Sequence, residues 1–315
     1  MVSYLVTILT LVAIISILGL ALNLQWGLCG MVNFGIAGFF ALGAYTAALV
    51  ALAGGGTLLA TLCAAVVCSI ACAVVALVSL RLSDEYLAIL TLGFGEVVRL
   101  VVLNEEWLTH GSLGLPGIPR PFWNWIPEDQ YEYWFLGLLG IVILLLYLAL
   151  EKLLRSPFGR AIRAVREDDV VAATLGKDVV KLRVKVFALG GVIIGVAGAF
   201  HSFYMTYIDP SQFSAILTAY VFMAVIAGGR GSNSGLLLGS VGLMAVIEGT
   251  RFLKDFLNVF DATQLSAIRL ILIGLGLILL LIFRPQGCFA EYRLKIKKPE
   301  PEPRKNPVQT KTSTT

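Results

Sequence analysis

"LLATLCAAVVCSIACAVVALVSL" fills residues 58–80 without one formal charge. A helix rises about 1.5 Å per residue, and roughly 20 residues cross a hydrocarbon core about 30 Å thick. Twenty-three uncharged residues can therefore span a bilayer as one helix. Charge-free runs of the same kind fill Ile8–Leu22, Trp134–Leu150, Val186–Phe200 and Leu270–Phe283. Only 14% of the chain is charged, where a soluble domain carries about a quarter. The composition excludes a soluble globular enzyme and specifies a polytopic, all-α transmembrane bundle.

About nine spans fit the pattern: 4–22, 34–53, 58–80, 86–103, 134–150, 184–206, 214–230, 235–253 and 266–283. The first has no basic residue ahead of its apolar core and reads as retained rather than as a removable signal. Residues 151–185 carry nine Lys and Arg against five acids, and the tail from Arg284 carries eight against three. Residues 104–133 hold one base, Arg120, and five acids. The positive-inside rule puts the first two in the cytoplasm and the third outside. Nine spans then place the N-terminus outside and the C-terminus in the cytoplasm. Trp107, Trp123, Trp125 and Trp134 suit headgroup-level anchoring of the external loop. The unit divides into a membrane domain, 1–290, and a Pro-rich charged tail, 291–315, expected to be disordered. A net charge of +4, placed at membrane flanks, gives no reason to expect nucleic acid as a partner.

Glycine gathers in "WGLCGMVNFGIAGFFALGAY" (26–45) and "IAGGRGSNSGLLLGSVG" (226–242). Such clusters let helix backbones approach closely, or break a helix where backbone lines a cavity. Their similar texture hints at a duplicated architecture. Glu96 and Arg99 share one helix face, and entry at Leu87 puts Glu96 about 14 Å deep. The pair either fixes packing or serves passage and gating. Glu248 and Arg251 repeat the spacing nearer an outer end. Asn33, Thr91, Ser232 and Asn233 offer hydrogen bonds to a zwitterion, or to neighbouring helices. His201, Tyr204 and Tyr207 fit an interfacial belt. Five cysteines, without a partnering histidine or carboxylate, give no disulfide framework or metal site. The absence of a G-x-x-x-x-G-K-[ST] loop says the chain does not itself bind ATP in the usual way. No catalytic constellation is present.

"RSPFGRAIRAVREDDVVAATLGKDVVKLRVK" (155–185) interrupts this oil with charge. Ser156 and Pro157 make a helix start, and Phe158, Ala161, Ile162 and Val165 form an apolar stripe. Arg160, Arg163 and Arg166 take the remaining surface. The stripe changes phase at Asp168, where Asp168 and Asp169 can cap a second short helix that Gly176 ends. The segment either lies on the inner leaflet or docks with a cytoplasmic protein. Glu167, Asp168, Asp169 and Asp178 would be repelled by anionic lipid, which favours the protein partner.

"SPFGRAIRAVREDDVVAATLG" resembles the coupling segment of permease subunits in branched-chain amino acid ABC importers of the LivM type. "YLAILTLGFGEVVRLV", "LTHGSLGLPGI", "AVIAGGRGSNSGLLLGS" and "FRPQGCF" are similar to that family's other recurrent stretches, in the same order. His110 stands where the family commonly shows glycine. The resemblance implies an inner-membrane permease paired with a LivH-type sister. Two cytoplasmic ATPases would carry ATP and Mg²⁺, and a periplasmic binding protein would deliver substrate. It implies that this chain binds no cofactor and catalyses no reaction. The coupling segment 155–183, through Gly159, Arg160, Arg163, Arg166, Glu167, Asp168, Asp169 and Gly176, would receive the ATPases' motion. Asn33, Thr91, Glu96, Arg99, Ser232 and Asn233 are the candidates for the path. The expected cargo is branched-chain or other neutral amino acids. A urea or short-amide importer, and an ATP-independent secondary transporter using Glu96, stand as alternatives.

Overall fold

The computed structural model describes residues 2–79 and 84–256, and beyond them only 271, 274–276, 278, 282, 283 and 287. Helices α1 (Val2–Leu22), α2 (Ile36–Leu52), α3 (Thr57–Val78), α4 (Asp84–Asn104) and the one-turn α5 (Glu106–Thr109) come first. They are followed by α6 (Glu128–Arg155), α7 (Pro157–Glu167), α8 (Asp169–Thr174), α9 (Val179–Met205), α10 (Ala215–Gly228) and α11 (Asn233–Phe256). Five helices are long and apolar enough to cross a membrane, namely those within 3–28, 57–78, 85–104, 128–155 and 179–205. Three more expected spans fall on shorter apolar helices, Ile36–Leu52, Ala215–Gly228 and Asn233–Gly249. The ninth, 266–283, is described only at isolated positions, and the tail 291–315 lies outside the described residues.

Burial sorts the helices into centre and rim. Along their most apolar stretches α1 and α9 are 72% and 78% buried, but α4 and α6 only 17%. α9 packs against α2 and α3 through backbone, because glycine removes the side chain that would hold the helices apart. A β carbon on Gly191 or Gly195 would stand 2.5 Å from the carbonyl oxygen of Cys68 or Ala64, and one on Gly43 2.9 Å from Gly195 Cα. At Gly43 the first glycine cluster serves close packing. The outer face of α3, with Leu58, Leu62, Val66, Ile70 and Val74 exposed, is purely aliphatic, as is that of α6 through Ile141, Leu144, Leu145 and Leu148.

The charged ends follow helix electrostatics. α6 begins with Glu128 and Asp129 and ends with Lys152 and Arg155, matching its dipole at both ends. α7 and α8 cap the bundle end where α6 stops and α9 starts. At the far end of α9, about 40 Å away, β1 (Leu115–Pro116) pairs antiparallel with β2 (Tyr207–Ile208). This ties the 104–133 loop to the α9 terminus. Trp107 and Trp125 of that loop are exposed, whereas Arg120 lies over the rings of Trp123 and Tyr131. His201 is not in a surface belt with Tyr204 and Tyr207. It is buried, 3.1 Å from Gln212 Oε1 and against Phe40 and Phe213. Position along the helix alone suits a belt; the facing side, set by α2, makes His201 a core residue.

Candidate functional site

The charged interruption folds as two short helices meeting at Asp168. Ser156 has extended backbone, and its hydroxyl accepts the Gly159 amide at 3.4 Å, with Pro157 in the first turn. Gly159, Ile162 and Val165 form the buried stripe of α7, and a β carbon on Gly159 would run into Leu154 backbone. Asp168 Oδ1 accepts the Val171 amide at 2.9 Å and so starts α8. Gly176, at φ +77°, supplies the left-handed stop. Asp178 caps α9 by taking the Lys181 amide at 3.0 Å. The Lys181 ammonium, 2.8 Å away, holds the Asp178 carboxyl below the usual range. Asp169 pairs with Arg183 at 3.2 Å, fastening α8 to α9.

The expected basic surface divides. Arg160 is exposed and reaches the Arg155 carbonyl, whereas Arg163 is half-buried and its Nε meets no acceptor among the described residues. Arg166 turns inward and donates to the Gly27 carbonyl. Glu167 and Asp168 are exposed beside Val170, Val171 and Leu175, which form an uncovered apolar patch on α8.

Arg166 reaches a break in the first span. α1 widens into a π-helical turn, Asn23–Leu28, and ends in a loop before α2. The two glycine-rich segments meet here. Asn23 Nδ2 donates to Asn233 Oδ1 at 2.8 Å, and Asn23 Oδ1 accepts the Gly231 amide at 2.8 Å. A β carbon on Gly27 would stand 2.9 Å from that same amide nitrogen. Asn33 donates to Gln25 Oε1 at 2.8 Å and accepts the Gly35 amide at 2.9 Å, while Gln25 donates to Phe187 O. Thr91 on α4 accepts the Phe34 amide at 3.0 Å, and Thr218 on α10 accepts the Ala37 amide at 3.1 Å. Ser232 takes the Gly235 amide at 3.1 Å and opens α11.

Four of the path candidates, Asn33, Thr91, Ser232 and Asn233, thus hydrogen-bond to protein. Asn33, Thr91 and Asn233 are buried. Asn233 Nδ2 finds no acceptor among the described residues. Their geometry is that of a latch closing a helix break, in which Asn23 and Asn33 take the backbone amides of Gly231 and Gly35 and Asn233 pairs with Asn23. Asn23, Gln25 and Thr218 belong to the same latch. In "LALNLQWGLCG" the signal for the first two is a pair of carboxamides inside an otherwise apolar span.

Glu96 and Arg99 stand apart from the latch. Arg99 Nε lies 3.0 and 3.1 Å from the two carboxylate oxygens, and the guanidinium Nη2 also reaches Glu96. The side chains are 50% and 29% exposed in the single chain, among Ile89, Leu92, Val97 and Leu100. Of the two repeats, Glu248 accepts the Tyr4 hydroxyl at 2.7 Å; the Arg251 side chain lies outside the described residues. Among the described residues no His, Cys, Asp and Glu cluster could hold a metal, and Cys63, Cys68 and Cys72 form no disulfide.

A helical bundle with five helices long and apolar enough to cross a membrane, and a charged, capped two-helix segment at one end, has the architecture of a polytopic membrane protein. Residues 4–282 match the family described as branched-chain amino acid transport system / permease component, and the chain belongs to that family. It is 32% identical to the LivM high-affinity branched-chain amino acid transport permease of Salmonella typhimurium, over 93% of this chain and 71% of that protein. The Escherichia coli LivM matches equally well. The probable LivM of Methanocaldococcus jannaschii is 30% identical over 74% of this chain and 68% of its own length. A probable LivH permease from the same archaeon is 37% identical over 35% of this chain. No solved structure matches significantly.

Proposed function

We propose that this chain is the transmembrane permease subunit of an ATP-driven importer of branched-chain or other neutral amino acids. It pairs with a LivH-type sister in the inner membrane, with its N-terminus outside and its C-terminus in the cytoplasm. Two cytoplasmic ATPases bind ATP and Mg²⁺, and a periplasmic binding protein delivers the cargo. The observation that carries this reading is the α7–α8 segment. It is fully capped and structurally defined, yet it leaves Val170, Val171 and Leu175 exposed beside Arg160, Glu167 and Asp168. A mixed-charge surface with an apolar centre fits a protein groove better than a uniformly anionic lipid leaflet.

The sister subunit covers α4. Exposed faces of α3 and α6 are aliphatic and suit lipid, but α4 puts Glu96 and Arg99 on its outer face. A mid-span ion pair facing hydrocarbon is costly, so this face meets protein or a water-filled path. The likeness to both LivM and LivH chains supports a pair built from two related folds. The test is uptake of radiolabelled leucine by cells with and without the gene. Deletion abolishes uptake, and neutral amino acids compete where urea does not. Competition by urea instead moves the cargo to short amides. ATP depletion at constant membrane potential stops uptake; uptake that survives it, and is lost in Glu96→Gln, establishes the secondary-transporter reading.

A further inference from the structure

The last carbonyls of a helix have no following turn to bond, and α1 with its π-helical extension ends inside the protein. Trp26 O is taken by the Cys29 and Gly30 amides, while Gly27 O receives the Arg166 guanidinium from α7. Gly30, at φ +85°, folds the chain over the arginine stem, so a β carbon there would stand 3.4 Å from Arg166 Cγ. On its other side the same turn holds the α10–α11 connection. Asn23 grips Asn233 and the Gly231 amide, and Arg230 lies 4.6 Å from the Trp26 ring centroid, reaching Trp26 O. One turn of chain, Asn23–Gly30, is therefore bonded to the coupling helix on one side and to the start of α11 on the other.

We propose that Arg166 is a positioning residue of the transport cycle: it ties α7 to the Asn23–Gly30 turn, so that displacement of α7 is passed to the α10–α11 junction. This rests on the proposed function, in which α7 is the part that the ATPases move. A charge-assisted bond from a forked guanidinium to a helix-end carbonyl is directional and resists sliding. Arg166 is thus the inner end of the coupling device, and Arg160 belongs to its outer face.

The test replaces the polar tie by a covalent one. In the complete importer, made free of native cysteine, Gly30→Cys and Arg166→Cys are combined; the two β-carbon positions are 3.9 Å apart, within the usual disulfide range of about 3.5–4.5 Å. In the reduced state we expect leucine uptake about tenfold below the cysteine-free parent, with more ATP hydrolysed per leucine moved. Copper-phenanthroline and oxygen, which accept the two thiols' electrons, should restore uptake, and dithiothreitol should remove it again. A formed disulfide that leaves uptake at the reduced level overturns the proposal, as does failure of the assembled protein to crosslink. A second arm compares Arg166→Lys with Arg166→Met at equal assembly. Lysine, which keeps a cationic donor, should retain most of the uptake and methionine little; equal loss in both counts against the tie. An unmutated importer that does not take up leucine sinks the proposed cargo instead, and the two failures are distinguishable.

Discussion

Asn23, like Asn33, holds the helix break through one side chain that serves both a backbone amide and another carboxamide. Replacing it by alanine leaves the Gly231 amide and Asn233 without those partners. A buried unsatisfied donor or acceptor costs about 1–3 kcal/mol. Asn23→Ala should therefore lower the melting temperature of the detergent-purified protein, and Asn23→Leu should do worse by adding bulk beside Gly27. An unchanged melting temperature for both would mean water replaces the amide. Glu96 is predicted to behave differently. Its pairing with Arg99 is local to one helix turn, so Glu96→Gln should hardly change stability of the isolated chain, while altering assembly or uptake.

The short helix α8 depends on its cap. Asp168 Oδ1 to the Val171 amide is its N-terminal side-chain bond, and six residues cannot hold a helix in water unaided. Asp168→Ala should cost about 1 kcal/mol locally, seen as faster amide exchange over 169–174, whereas Asp168→Asn should preserve protection. Longer helices are set by approach distance. Gly195 sits in α9 where Ala64 and Ala65 leave no room, so Gly195→Val must push α3 away. Overpacking of this kind costs typically 1–3 kcal/mol. Near-normal folding of Gly195→Val would show that the α3–α9 contact is looser than its backbone contact implies.

The bundle as a whole separates core helices α1, α2 and α9 from rim helices whose outer faces differ in chemistry. That difference predicts which side a sister subunit covers. A photo-crosslinking residue at Val97, on the outer face of α4, should crosslink to the sister subunit in the assembled importer. The same residue at Leu145 on α6, whose aliphatic face suits lipid, should not. Absence of a crosslink from Val97 would move the partner to another face.

Much of this was legible from residues in order. Run length and charge name the membrane helices, the phase change at Asp168 separates α7 from α8, and spacing pairs Glu96 with Arg99, because each is a property of one helix and its own periodicity. What could not be read along the chain are the meetings of distant segments. Asn33, Thr91 and Asn233 stand out along the chain as polar residues in an apolar solvent, a pattern equally compatible with gripping a substrate and gripping a backbone. Only the folded chain brings Asn23 to Asn233, 210 positions away, and Arg166 to Gly27. Likewise only packing tells that His201 faces Phe40 while Glu96 faces outward. Helix formation and bilayer length are local physics; satisfaction of buried polar groups depends on which backbone groups the tertiary fold leaves unpaired.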